Sequence, residues 1–252
     1  MTTIEATTTN NITIKEKKNS IQGTAKLAGV LYLLITLLSI PVHFIIPGQL
    51  IVAGDAATTA TNIMASQGLF RMGIAAELVL LLCEIGLTVL LYMLLRPVNK
   101  TLSMVAAASR FVMTIIHGAN LLNHFIVLVF LGSAGYLTVF APNQLQALAM
   151  TFLNAYDYGF TIGIVFLILH ASIVGYLIFK SGYFPRILGL LFINASLGYL
   201  IDSFSHILIP NYKTGPAYLA VSIAIAEIAF PLWLLIKGVN EEKWKKRVLE
   251  NS

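Results

Sequence analysis

The chain has 252 residues, 58% of them hydrophobic and 11% charged, with a formal net charge of +5 and a mean hydropathy of +0.84. A soluble domain carries about a quarter charged residues. This composition therefore excludes an ordinary globular enzyme and, with repeated apolar runs near the ~20 residues that cross a bilayer, specifies a polytopic membrane protein. The single cysteine, Cys83, excludes an intramolecular disulfide and a Cys-x-x-Cys redox motif.

Residues 1–22 are Thr/Asn-rich and then basic, and read as a flexible cytoplasmic tail. The basic stretch imitates a secretory signal, but the apolar run behind it is long and lacks a small-x-small cleavage site, so it reads as an uncleaved first span. A membrane domain is expected over 23–239 and a basic cytoplasmic tail over 240–252. Six spans are predicted: about Lys26–Ile46, Arg71–Leu95, Thr101–Leu131, Phe152–Phe179, Pro185–Leu208 and Pro216–Ile236. The fold class is all-α.

Basic residues set the orientation. Lys15, Lys17, Lys18 and Lys26 precede the first span, Arg96 and Lys100 separate the second from the third, Lys180 and Arg186 flank the next turn, and Lys243, Lys245, Lys246 and Arg247 follow the sixth. The other connections hold only Arg71 and Lys213. This alternation places both termini in the cytoplasm. In the first outer connection, Asp55 is a cap for a short helix with Ala57, Ala60, Ile63 and Met64 on one face, expected to lie along the membrane surface. The second leads into a helix starting near Pro142 that continues into the fourth span. Gly159 and Gly163 have the small-xxx-small spacing of packed membrane helices.

The spans carry ionisable groups at two depths, judged from a rise of ~1.5 Å per residue. A middle tier holds Glu84, Arg110 and Glu227, with His170 near it; an outer tier holds Glu77, His117, Asn120, His124, Asp157, Asp202 and His206. Such groups cost about 2.5–3.5 kcal/mol each at a span centre on insertion scales, so they are expected to face inward. Arg110 stays charged and needs Glu84 or Glu227 as partner, giving a buried ion cluster. The outer tier reads as a ligand-binding pocket.

Zinc is the alternative, with His117, His124, Asp202 and His206 as ligands, but no tight ligand motif supports it and no cofactor is expected. Ser203 and Ser205 beside Asp202 make no triad, because Ser203 and Asp202 point to different faces and no nucleophile elbow is present. His43 and Asp55 read as solvated. Tyr136, Tyr156, Tyr158, Tyr183, Phe184, Tyr212 and Tyr218 read as interfacial belts. The segment EEKWKKR suits an anionic leaflet and is too short for nucleic acid.

Three segments, GDAATTATNI, LLRPVNK and YLIFKSGYFPRILG, together with EIAFPLWLLIKGV near the end, resemble the uncharacterised bacterial membrane proteins of domain-of-unknown-function family 4386. The resemblance runs from about Gly23 to Val239 and implies a multi-span protein of a bacterial inner membrane; it transfers no catalytic residue. The residues favour binding or transport of a small solute or lipid through an outward-facing polar pocket, with proton coupling through Glu84, Glu227 and His170. The alternatives are an intramembrane metal-dependent hydrolase and a non-catalytic accessory subunit. The sequence leaves the oligomeric state open.

Overall fold

A computed structural model describes residues 2–132, 134–210, 212 and 215–251, with side chains from Ile21 onward. The chain folds into α1 (Thr2–Ile40), a π-helical segment (Pro41–Ile45), α2 (Ile46–Leu50), α3 (Ala56–Ala65), α4 (Gln67–Leu95), α5 (Lys100–Asn120) and α6 (Leu122–Phe130). A 3-10 turn (Gly135–Val139), α7 (Pro142–Ser181), α8 (Arg186–Leu208), α9 (Ala217–Ile236) and α10 (Glu241–Glu250) follow. The stretch 1–22 falls on Met1, which lies outside the described residues, and on the first part of α1.

Six helical runs are long and apolar enough to cross a membrane: Ile21–Leu50, Gln67–Leu95, Lys100–Phe130, Pro142–Ser181, Arg186–Leu208 and Ala217–Ile236. Their packing follows chain order. α1 lies against α4, α4 against α5, α5 against α7, α7 against α8, α8 against α9, and α9 returns to α1. The result is a ring of six spans. Its outer surface carries large exposed apolar side chains such as Met72, Leu82, Ile115 and Ile187, while charged side chains point in. Water would not favour that inverted pattern; hydrocarbon does.

Close approach between neighbours depends on small residues. A Cβ built on Gly189 of α8 would stand 2.5 Å from the Gly175 carbonyl oxygen of α7, so the two backbones touch. Gly163 and Gly159 of α7 serve differently: a Cβ on either would stand 2.1 Å from His117 Nε2 or Asn120 Oδ1 of α5, respectively. The small-xxx-small pair therefore makes room for polar side chains of α5.

The two ends of the ring differ. At the end that carries α10, Tyr32, Phe192 and Phe230 meet edge to face, with centroids 5.2–6.4 Å apart, and Leu87, Leu94, Leu177, Ile178 and Leu234 complete a dense apolar core. This end is also stitched by polar contacts. The last carbonyls of a helix lack internal partners; here the Leu94 carbonyl accepts from Tyr183 Oη at 2.8 Å and from Trp244 Nε1 at 3.2 Å. Tyr183 and Phe184 are thus core residues of the α7–α8 turn, not a belt at the interface. The basic segment after the sixth span forms α10, which buries Trp244. Gln22 binds both backbone groups of Val239, donating to its carbonyl at 2.7 Å and accepting from its N–H at 3.3 Å.

At the opposite end, Asp55 caps α3, accepting from Thr58 N at 2.9 Å and Thr58 Oγ1 at 2.6 Å. The Thr58 hydroxyl and backbone N–H hold the Asp55 carboxyl below its ordinary value. α3 packs on α7. Of the face expected to be apolar, Ala60 and Ile63 are buried, while Ala57 and Met64 are exposed.

Candidate functional site

Between the apolar core and the α3 end, the ring encloses a cavity of about 700 Å³ to which all six spans contribute. Its floor is the expected ion cluster. Arg110 Nε pairs with Glu84 Oε2, and both side chains are nearly fully buried. Arg110 Nη1 lies 3.0 Å from His170 Nε2. A guanidinium can only donate, so Nε2 accepts, and the Nδ1 proton goes to the Ala106 carbonyl at 2.9 Å. The Tyr32 ring lies 5.5 Å below the guanidinium carbon, a cation–π distance. Three groups from three other spans fix one cation.

Glu227 stands apart from that pair. Tyr199 Oη donates to Glu227 Oε1 at 3.2 Å, and the Tyr32 hydroxyl interacts with the same carboxylate. Glu227 sits at a gap in the backbone hydrogen-bond ladder of α9. Pro231 inside α9 has no N–H to offer the Glu227 carbonyl. Thr36 Oγ1, 3.4 Å away on α1, partly replaces it. On the α1 side, Pro41 opens the π-helical segment that contains His43, a distortion common at functional sites.

Higher on the wall, Glu77 is 3% exposed and accepts from Tyr156 Oη at 2.7 Å. His124 stacks on Tyr156 at 3.9 Å, and His117 stacks on Phe160 at 4.7 Å while its Nε2–H donates to the Phe160 carbonyl at 3.1 Å. Asp157 and His206 also line the cavity. Asp202 Oδ1 accepts from Tyr212 Oη at 3.0 Å and from Gly215 N at 3.1 Å, which ties down the connection before α9.

Of the predicted pocket residues, Glu77, His117, His124, Asp157, Asp202 and His206 line this one space, as do Glu84, Arg110 and Glu227. Asn120 does not. It is buried between α5 and α7, donating to the Tyr156 carbonyl at 2.8 Å and accepting from Asn123 at 2.8 Å. Its amide sits over Gly159 of α7 and is spent on that helix's backbone. His170 is also off the large cavity, behind Arg110, beside a small void shared with Thr88 and Ser103. The zinc set of His117, His124, Asp202 and His206 does not assemble: among the described residues no three His, Cys, Asp or Glu side chains are grouped to hold one ion. His43, read as solvated, lines the cavity 4.9 Å from Phe160. Tyr156, read as an interfacial residue, is 9% exposed and central. A stripe on the first span, Tyr32, Thr36, Ser39 and His43, has helical i, i+4, i+7, i+11 spacing and was the signal that could have shown His43 facing inward.

The same stretch of chain carries the family signature. The profile described as Domain of unknown function (DUF4386) matches residues 27–238. The chain belongs to this family. The DUF4386 match runs from early in the first span to the end of the sixth, so it takes in every wall of the cavity. An uncharacterized protein of Archaeoglobus fulgidus is 28% identical over 160 residues, which cover 63% of this DUF4386 chain and 79% of that protein. No solved structure matches the chain.

Proposed function

We propose that this DUF4386 protein binds a small solute inside its six-span ring, in a cavity closed at the α10 end by apolar packing. One observation carries the reading: all six spans contribute to a single space of about 700 Å³, lined by five carboxylates, Arg110 and four histidines. A cluster serving only to hold helices together closes on itself, because buried charges are cheapest when directly paired. The Arg110–Glu84 pair does so; Glu77 and Glu227, each held by a tyrosine, do not. The volume falls within the range of small-molecule sites, roughly 300–1,000 Å³.

Transport would require a second state in which the α10 end opens. Of the groups considered for proton coupling, Glu84 is engaged by Arg110 and His170 lies behind it. Glu77 and Glu227 are the carboxylates placed to exchange a proton with a bound solute.

The test is a thermal-melting screen of the purified protein in lipid nanodiscs against neutral, anionic and cationic small molecules. A ligand of this cavity raises Tm for the native chain but not for Ala220→Trp, which fills the cavity from a wall position. Ligands that stabilise both proteins equally, or no stabilising compound in a chemically broad set, would refute the reading.

A further inference from the structure

The composition of the cavity wall narrows the chemistry of its occupant. Among the described residues that line it, the fixed cation is Arg110, and that cation is already taken by Glu84. Asp202 is taken by the connection before α9. Asp157 also lines the space, from α7. Glu77 and Glu227, on the two helices that flank α1, take part in no salt bridge among the described residues. Each accepts a hydrogen bond from a tyrosine, Tyr156 or Tyr199, and Glu77 is 3% exposed. A neutral donor offsets only part of the cost of a buried carboxylate.

Aromatic faces stand beside these acids. Tyr156 and Phe160 form a stacked step with His124 and His117 on one wall. Carboxylate together with π-face is the environment that recognises organic cations, by Coulomb attraction and by the ring quadrupole. The remainder of the wall is apolar, including Leu80, Met113, Leu153 and Ile164. The cavity also reaches the side of the ring. α1 and α9 touch through Gly29 with Pro231, Tyr32 with Phe230, and Thr36 with the Glu227 carbonyl. Nearer the α3 end, Ile40 and Phe44 on one side and Ala220 and Ala224 on the other line the cavity and are exposed. A bilayer-dissolved molecule meets that opening directly.

We infer that the ligand is an organic monocation with an apolar body, its charge met by the carboxylates of Glu77 and Glu227. This inference rests on the reading that the cavity binds a solute.

The probe is radiolabelled tetraphenylphosphonium, set against its near-isosteric anion tetraphenylborate. Both are measured by equilibrium dialysis against the full chain in phosphatidylcholine nanodiscs, with protein-free discs as background. Saturable binding of about one tetraphenylphosphonium per chain is expected, with none for tetraphenylborate. Glu77→Gln/Glu227→Gln, checked for a native elution profile and melting curve, should bind about tenfold more weakly, the change that loss of one charge contact of ~1.4 kcal/mol produces. If that variant fails to fold, competition settles the charge preference on the native chain: neutral tetraphenylmethane should displace the cation far less well than unlabelled tetraphenylphosphonium.

Saturable tetraphenylborate binding without the cation would overturn the inference and leave the cavity reading intact. So would equal displacement by tetraphenylmethane, or undiminished affinity in a folded double variant. Absence of saturable cation binding overturns the inference as well, and the melting screen with Ala220→Trp then decides the cavity reading separately.

Discussion

Replacing Gly163 by alanine tests how α5 and α7 fit together. The new Cβ would lie 2.1 Å from His117 Nε2 and 2.4 Å from Cδ2, where carbon contacts are comfortable at roughly 3.5–4.0 Å. The imidazole must retreat by more than ~1 Å to regain such a distance, which breaks its 3.1 Å hydrogen bond to the Phe160 carbonyl. Overpacking costs about 1–3 kcal/mol, and an interhelical hydrogen bond in a membrane contributes about 0.6 kcal/mol, at most ~1.7. The expected loss is roughly 2–4 kcal/mol from these two sources. In a His117→Ala background the obstruction is gone, and Gly163→Ala should cost less than about 1 kcal/mol. Reversible unfolding of the four proteins in bicelles, by steric trapping, measures the coupling. If the two substitutions add within about 0.5 kcal/mol, they do not interact, and the proposed fit of His117 over Gly163 is wrong.

Gly189→Ala should be more damaging than Gly163→Ala and should resist rescue, because its neighbour at 2.5 Å is a backbone carbonyl; the same unfolding assay ranks the two. Removing one member of the Arg110–Glu84 pair, by Glu84→Gln or Arg110→Met, should cost about 3–5 kcal/mol, whereas the double substitution should cost well below the sum. Trp244→Ala should lower stability by about 3–5 kcal/mol through lost burial, and Trp244→Phe by only about 1 kcal/mol through the lost bond to Leu94; detergent melting curves separate them. The Asp55 carboxyl is held below its ordinary value in the folded chain, so its support of α3 is present above the ordinary carboxylate range and disappears as pH falls through the depressed value. Hydrogen exchange at residues 56–59, corrected for intrinsic rates, should quicken there, and Asp55→Ala should remove the pH step.

The number of spans and the facing of most ionisable groups were legible in the sequence because the bilayer leaves few options. A run of ~20 apolar residues must cross, and Glu84, Arg110 and Glu227 must turn inward. Pairing was legible for the same reason, since Arg110 had only two carboxylates at its depth, and Glu84 is the one it meets. What was not legible depends on how the helices touch. Asn120 shares a face with His117, but the close approach at Gly159 presses it against the α7 backbone and away from the cavity. His43 looked solvated because it was judged by its place near the outer end of the span, whereas the stripe it shares with Thr36 and Ser39 faces the cavity. Tyr156 and Tyr183 are chemically suited to an interface, and only packing shows that the ring encloses them. The docking of α10 turns on one indole N–H finding the spare carbonyl of Leu94, a meeting across 150 residues of chain that no local pattern records.

The bonds between Gln22 and Val239 set the start of the first span beside the end of the sixth. Because the helices stand in chain order, that seam is topologically equivalent to any turn between neighbours. A circular permutant that fuses the two ends and opens the chain at 96–99 would keep six crossings, and both new termini would emerge on the side where the native ones do. Such a chain should assemble the same chamber, with covalent continuity at the seam replacing one glutamine's grip.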